Sequence, residues 1–437
     1  MSDVACESCL TDAQARLEAA RCLLCDDAPC VAACPAQVPV KHFIRAIRFD
    51  SPRRAINLIR ERNVFAGVCG LACPVDELCV KACSATELST PIAIGRLQHY
   101  AAKTELESGR MPQPGAADGK KVAIIGAGPC GLAAAAELAR LGHVPTVFER
   151  SPRPGGICTY GMPPHRLPRD LVAGEIEYIK NLGVRIETAA PFGARHTIDD
   201  LLAGGYGAVY IAVGLQQAAT PGIPGENLEG VTTWKTLLDG ACAAAFGEGD
   251  EPLVTTRVLI IGGGSVAMDT AAAARRLGAE DIDMVCLEAP HEMPACRDEL
   301  DSTLQAGVRL HTRSMPLEIT EENGKVSGLK AVRIDWKEPD KFVPDNAEAI
   351  AGTEYWLPGS MVIFAVGAGP APELARALPG VKLDRGGRVV VDPETGAASR
   401  EGVFAGGDIV SGGGATIVQS VAEGRRAAAA IDAYLRG

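Results

Sequence analysis

Aromatic residues make up only 4% of the 437-residue sequence, too few for the stacking platforms that hold single-stranded nucleic acid. Basic charge is also short. Lys and Arg number 43 against 54 Asp and Glu, a net charge of −11, so no overall basic footprint for nucleic acid exists. A run of about 18 apolar residues, the minimum for a membrane-spanning helix, does not occur. The start, Met1-Ser-Asp-Val-Ala-Cys6, lacks the basic and apolar stretches of a secretory signal, so a cytoplasmic location is expected.

Cysteine, by contrast, is plentiful and uneven. Ten of the 15 cysteines lie within the first 83 residues. A disulfide scaffold needs an oxidising compartment, so a front-loaded cluster in a cytosolic chain points to metal or cluster ligation. The spacings are Cys22-x2-Cys25-x4-Cys30-x3-Cys34-Pro35 and Cys69-x3-Cys73-Pro74-x4-Cys79-x3-Cys83. Short spacings let one loop wrap most of an iron–sulfur cluster, and the cysteine before proline serves the other cluster in two-cluster proteins. That logic places Cys22, Cys25 and Cys30 on one [4Fe–4S] cluster with a cysteine of the second set, and Cys34 on another. Zinc held by four thiolates is the alternative; the Cys-Pro ends and the crossed pattern favour clusters. Cys6 and Cys9 read as unliganded thiols near a terminus.

The front of the chain reads as helical. Val40–Phe49 and Pro52–Asn63 carry apolar residues at helical spacing (Phe43, Ile44, Ile47; Ala55, Leu58, Ile59). Met111–Gly119 is a linker by composition. Two strand–glycine loop–helix–strand units follow. In the first, strand Val122–Ile125 leads into Gly126-Ala-Gly128-Pro129-Cys-Gly131, a helix to Leu141, and strand Val144–Phe148 ending in Glu149. In the second, strand Val258–Ile261 leads into Gly262-Gly-Gly264-Ser265-Val266-Ala267, a helix to Leu277, and a strand from Ile282 to Leu287, with Glu288 at its end. Glycines at these positions permit the tight turn and bring backbone amides close to a pyrophosphate, and the acid takes a ribose hydroxyl. A 2′-phosphate needs Arg or Lys where Glu288 stands, so NADH is expected over NADPH. Gly407-Asp408 and Gly412–Thr416, ahead of a last helix, match the second FAD contact of flavoproteins with two dinucleotide sites. FAD is therefore expected at the first loop and NAD(H) at the second, with Gly367 beside the latter. Nicotinamide delivers electron pairs and a cluster accepts single electrons, so a flavin is needed as converter. No C-x2-C motif lies in or near either nucleotide segment, which disfavours a disulfide reductase.

With these residues in view, the chain resembles the family that includes the small subunit of glutamate synthase and the N-terminal half of dihydropyrimidine dehydrogenase. The motifs are Ala20-Arg-Cys-Leu-Leu-Cys25, Asp27-Ala-Pro-Cys30, Cys34-Pro35, Gly155-Gly156, Pro163-x-x-Arg166-Leu-Pro168, Met293-Pro294-Ala295 and Phe404-Ala-Gly-Gly-Asp408. Cys69-Gly-Leu-Ala-Cys73-Pro and Pro91-Ile-Ala-Ile-Gly95-Arg-Leu-Gln98 resemble its pyrimidine-reducing branch. The resemblance implies one [4Fe–4S] cluster on Cys22, Cys25, Cys30 and Cys83, and a second on Cys34, Cys73, Cys79 and the side-chain oxygen of Gln98, with Cys69 spare. It places Gly156, Ile157, Arg166 and Thr416 at the flavin. It implies three domains: a helical iron–sulfur domain (1–113), an FAD domain (114–216 and 366–437), and an NAD(H) domain (217–365) inserted in it, both of Rossmann type. Members that use NADPH carry basic residues where Leu287 and Glu288 stand here. An FMN barrel is not expected within these 437 residues, so the implied activity is that of the two-chain bacterial members. There an NADH-oxidising subunit feeds a separate FMN-containing large subunit that reduces uracil or thymine, a heteromer expected as a heterotetramer. A glutamate synthase-type subunit is the alternative. No side-chain acid or base is assigned to catalysis, because hydride transfer to flavin needs none.

Overall fold

The computed structural model describes residues 9–193, 196–414 and 416–437; Cys6 lies outside them. In chain order the helical front comprises α1 (Asp12–Ala20), α2 (Pro29–Ala32), α3 (Val40–Arg48), α4 (Pro52–Arg60), α5 (Ala66–Ala72) and α6 (Ile94–Glu107). The first nucleotide fold follows with β1 (Lys121–Ile125), α7 (Pro129–Arg140), β2 (Val144–Phe148), α8 (Ile157–Tyr160), α9 (Arg169–Asn181), β3 (Arg185–Glu187), α10 (Ile198–Ala203) and β4 (Tyr206–Ile211). The second has β5 (Gln217–Ala218), β6 (Val231–Thr233), α11 (Trp234–Ala244), β7 (Arg257–Ile261), α12 (Ser265–Arg276), β8 (Asp281–Val285), α13 (Arg297–Gln305) and β9 (Arg309–His311). It continues through β10 (Ser314–Glu322), β11 (Lys325–Trp336), β12 (Ala347–Ala349), β13 (Tyr355–Pro358), β14 (Met361–Phe364) and β15 (Ala368–Gly369). The chain ends with α14 (Leu374–Ala377), β16 (Val403–Ala405) and α15 (Ile417–Arg436).

These elements form two compact units: Met1–Thr159, Pro164–Leu215 and Pro370–Gly437 in one, Tyr160–Pro163 and Gln216–Gly369 in the other. The helical front thus belongs to the same unit as the first nucleotide fold.

In the first unit β1 pairs in parallel with β2 and β4, and the sheet order is β16-β4-β1-β2-β3. The C-terminal strand β16 closes one edge, Val403 opposite Val209. All five strands are parallel, and the apolar runs of β1, β2, β4 and β16 are buried, as in a sheet covered on both faces. Helix α15 lies against α7 so closely that a methyl on Gly424 would strike the Cys130 carbonyl at 2.2 Å. In the front, α3 buries Phe43, Ile44 and Ile47. Helix α4 buries Ala55 and Ile59 as expected, together with Ile56 and Arg60, while Leu58 is only half-buried. Arg60 stays charged inside by pairing with Glu105 on α6 (2.9 Å) and Glu175 on α9 (2.9 Å). The helix ends at Arg60 with Glu61 as its C-cap, short of the expected Asn63, and Arg60 Nη1 donates to the Val64 carbonyl beyond it.

The second unit repeats the parallel sheet in the order β6-β14-β7-β8-β9. It adds an antiparallel layer in which β11 pairs with β10, β12 and β13. Apolar side chains of β10, β11 and β14 meet in one core cluster, with Ile319, Leu329 and Phe364 at its centre. Strand β8 stops at Val285, two residues short of the expected end, so Glu288 sits in the following loop. Among the described residues no helix is long and apolar enough to cross a membrane.

Candidate functional site

The front helices deliver the cysteines to two cavities. Cys22, Cys25, Cys30 and Cys83 line the first, together with Lys41, Ile44 and Ile92. Cys34, Cys69, Cys73, Cys79 and Gln98 line the second, with Asn63 and Val418. Each cavity draws on both halves of the cysteine pattern or on a distant helix, which is why spacing alone could not close either set. Among the described residues, no three metal-binding side chains converge on a single-ion point.

The chemistry of the donors fits a cationic inorganic core. Burial pushes the Cys30 thiol up to about 11, with the nearby sulfurs of Cys22 and Cys83 adding to the shift. Burial likewise pushes Cys79 up to about 12, helped by Cys34 and Cys30. Cys73 is raised first by its hydrogen bond with Cys69 and then by burial. Thiolates crowded this way repel one another until positive charge stands between them. Cys34 is raised by burial, but the backbone amides of Val38, Ala36 and Gln37 reach its sulfur and oppose the rise; amides aimed at sulfur are what tune a cluster. Gln98 Nε2 donates to the Ala66 carbonyl at 2.8 Å, which orients its carboxamide at the second cavity. Cys9 Sγ lies 3.5 Å from His99 Nε2, outside both cavities.

Helix α5, which carries Cys69 and leads into Cys73, is held from below. Glu175 accepts from the amides of Gly67 (2.8 Å) and Val68 (3.2 Å) at its N-terminal turn, and Arg60 and Glu105 complete the buried network. Local sequence shows nothing of this arrangement, because its three members lie on three helices.

In the first nucleotide fold, Gly126 has φ +104°, and a methyl there would strike the Ala212 carbonyl at 2.5 Å. A methyl on Gly128 would meet nothing within 4 Å, so backbone is open to an incoming group at the start of α7, whose first residue is Pro129. Gly131 packs against the loop: a methyl would lie 2.0 Å from the Gly126 carbonyl. Glu149 accepts from the amides of Ala127 and Ser151, both at 2.8 Å. Gly155 N donates to Ala127 O at 2.7 Å, and Gly156, at φ +55°, rests on Gly128. Ile157 opens α8 and is 42% exposed; Arg166 lies in the turn ahead of α9. Thr416 caps α15, its hydroxyl accepting from Gln419 N. The segment Gly407–Gly414 is stapled by Glu423, which accepts from Gly407 N (2.7 Å) and Gly414 N (2.9 Å), a residue sequence reading missed. Burial and Glu423 raise the Asp408 carboxyl to about 6. The open glycine, the helix N-terminus and the acid fit a dinucleotide such as FAD.

The second fold repeats the cradle. Gly262 has φ +138°, with the Ala365 carbonyl 2.3 Å from a would-be methyl. Gly264 is open apart from Pro294 at 3.8 Å, and Gly367, at φ +110°, faces nothing within 4 Å. Ser265 and Val266 form the first turn of α12, and Val266 is 37% exposed. Glu288 is raised by burial and by Glu292.

Residues 120–424 match the family model described as pyridine nucleotide-disulphide oxidoreductase, and residues 3–110 match that of dihydropyrimidine dehydrogenase domain II, 4Fe-4S cluster. The beta subunit of NADP(+)-dependent formate dehydrogenase from Moorella thermoacetica is 37% identical over 94% of the chain, which spans 60% of that relative's length. The small chain of glutamate synthase [NADPH] from Escherichia coli is 34% identical, covering 97% of this chain and 92% of its own. Subunit PreT of the NAD-dependent dihydropyrimidine dehydrogenase from the same species is 35% identical, at 96% and 94% coverage. Among solved structures, FprA from Mycobacterium tuberculosis in complex with NADPH overlays with a TM-score of 0.60 at 19% identity, over 73% of this chain and 85% of its own. Thioredoxin reductase from T. acidophilum gives 0.53 at 21% identity, over 72% and 98%. These two show the α/β nucleotide-binding fold.

Proposed function

The chain belongs to the pyridine nucleotide-disulphide oxidoreductase family and carries a 4Fe–4S domain ahead of its FAD- and NAD(P)-binding folds, and from that premise we propose that it is the NADH-oxidising electron-input subunit of a pyrimidine-reducing heteromer. The observation that carries this reading is the make-up of the second cysteine cavity. It is lined by Cys34, Cys69, Cys73, Cys79 and Gln98, and also by Val418, two residues past the Thr416 cap of α15 in the flavin-type fold. A cluster held there adjoins the flavin fold inside a single unit.

Bound FAD would take hydride from the nicotinamide and release electrons singly to clusters, a conversion that neither partner makes alone. The chain's own residues bind and orient. The amides at the start of α7 and of α12 receive the two pyrophosphates. Glu149 and Glu288 address the riboses. Asp408, Arg166, Ile157 and Thr416 frame the flavin. Cys22, Cys25, Cys30 and Cys83 hold one [4Fe–4S] cluster, and Cys34, Cys73, Cys79 and Gln98 the other. A neutral amide in place of one thiolate makes the second cluster less negative, which raises its potential. With these groups bound, electrons would pass to an FMN-containing large subunit that reduces uracil or thymine. Gln98, Glu288 and the similarity to PreT support this reading. The similarity to a glutamate synthase small chain, at 34% identity, supports a second, in which the large subunit acts on glutamine.

The test is anaerobic isolation of the chain with its native partner. NADH-dependent consumption of uracil is expected of the complex, and about eight iron atoms per FAD of the chain separated from its partner, as two [4Fe–4S] clusters require. Co-isolation with a glutamine-consuming chain would establish the second reading, and material with one cluster or none would end the two-cluster proposal.

A further inference from the structure

In the second nucleotide fold, a methyl on Gly263 would lie 2.9 Å from Glu288 Oε2. The carboxylate therefore stands over the glycine loop, where this fold binds an adenosine ribose. A second acid backs it. The Glu292 side chain is only 4% exposed and its charge acts on Glu288. It is fixed by the amide of Ala289 (2.8 Å) and the indole N–H of Trp336 (3.2 Å). Its other oxygen takes the Arg313 guanidinium, and His291 Nε2 stands 3.8 Å away. Arg313 comes from the segment after β9, yet it lies beside the same loop: its backbone amide reaches the Glu288 carbonyl at 3.4 Å. Its guanidinium rests over the Trp336 ring, 5.5 Å from the centroid, with Asp335 at 3.6 Å.

A 2′-phosphate is recognised by a guanidinium free to offer paired N–H donors. Arg313 is a guanidinium near the ribose end of this cradle; its Nη2 donates to Glu292 and its Nη1 faces Asp335, so the paired donors are turned to carboxylates of the protein. We infer that Glu292 is a second specificity-determining residue: it holds Arg313 in an internal ion pair and adds a carboxylate beside Glu288, so the site accepts a ribose 2′-hydroxyl and rejects a 2′-phosphate. The inference rests on the reading that the Gly262 loop binds the nicotinamide nucleotide, and it adds a residue that no pattern around Glu288 reveals.

The test uses the full, cofactor-loaded chain and equilibrium dialysis of two probes, 5′-ADP and 2′,5′-ADP, which read binding without turnover. The native chain is expected to bind 5′-ADP at least about tenfold more tightly. Glu292→Gln should strengthen 2′,5′-ADP by about tenfold, the scale of one charge-assisted contact. It should leave 5′-ADP within about threefold, and Glu292→Gln with Arg313→Met should abolish the gain. An unchanged ratio in Glu292→Gln, or a gain that survives loss of Arg313, overturns the inference while the nucleotide site stands. If the native chain binds neither probe, the site reading itself fails. Arg313→Met alone takes the counter-charge from Glu292 and so should not strengthen 2′,5′-ADP; a gain in that variant would overturn the inference.

Discussion

In the first dinucleotide fold a methyl on Gly126 would strike the Ala212 carbonyl at 2.5 Å; in the second, a methyl on Gly262 would strike that of Ala365 at 2.3 Å. The covering strands are even followed by the same tripeptide, Ala212-Val-Gly214 and Ala365-Val-Gly367. From this common frame the two folds part at three points. The third small residue is Gly131 in one and Ala267 in the other. Glu149 has both oxygens engaged by the amides of Ala127 and Ser151, whereas burial and Glu292 push the Glu288 carboxyl upward. Strand β6 runs straight into α11, capped by Thr233. Strand β16 instead inserts the Gly407–Gly414 loop before α15, and Glu423 staples that loop. The first cradle is completed by the protein's own hydrogen bonds, which suits a group that stays bound. The second keeps an acid under charge stress at its mouth, which suits a ligand that comes and goes.

The largest expected effect breaks the symmetry at the third small residue. Gly131→Ala puts a methyl 2.0 Å from the Gly126 carbonyl, and backbone cannot yield as a flexible side chain does. Loss of bound flavin and destabilisation of about 3 kcal/mol or more are expected, at the upper end of overpacking costs. The mirror change, Ala267→Gly, loses only helix propensity and a buried methyl, about 1–2 kcal/mol. Flavin absorbance after gel filtration and urea unfolding of both variants check this. Equal losses would mean that the two loops pack alike.

The next effect is confined to the loop that the first fold alone inserts. Asp408 has its carboxyl raised from 3.8 to about 6, by burial and then by Glu423. Folded chain then binds more protons than unfolded chain between these values, so this group's contribution falls as pH rises from about 4 and is fully lost above about pH 7. The size is about 2 kcal/mol after allowing for partial exposure. Urea unfolding of flavin-free chain across that range should show the slope, and Asp408→Asn should flatten it. Parallel curves would show that Asp408 is not under charge stress.

Much of this contrast was legible in the residues. The glycine loops, the acids after the second strands and the Cys-Pro spacings are local patterns, each with a steric or electrostatic cause. The antiparallel layer was missed although Asn323-Gly324 stands between β10 and β11 with φ of +54° and +79°, the turn chemistry of a tight hairpin. The buried Arg60 of α4 was missed because an arginine has no place in an apolar pattern; Glu105 and Glu175, from elsewhere in the chain, pair with it, and the Tyr178 ring lies 4.3 Å from its guanidinium. Glu423 and the Glu292–Arg313 pair were invisible for a related reason. Their partners are backbone amides or side chains brought close by tertiary folding, and no period or spacing encodes that.

The smallest effect sharpens the comparison at the two acids. Glu149→Gln keeps one acceptor and turns an amide group toward a backbone N–H, leaving a buried donor of Ala127 or Ser151 unmet, at a cost of about 1–2 kcal/mol. Glu288→Gln removes a charge that burial and Glu292 already disfavour. Its unfolding midpoint at pH 7 should therefore stay level or rise slightly, while the affinity for NADH falls by about tenfold, the worth of one hydrogen bond to a charged group. Urea titrations read by flavin release and by far-ultraviolet dichroism separate the two outcomes. If Glu288→Gln destabilised the fold as much as Glu149→Gln, the second acid would be a structural staple like the first, and its role in nucleotide choice would have to pass to other side chains around the loop.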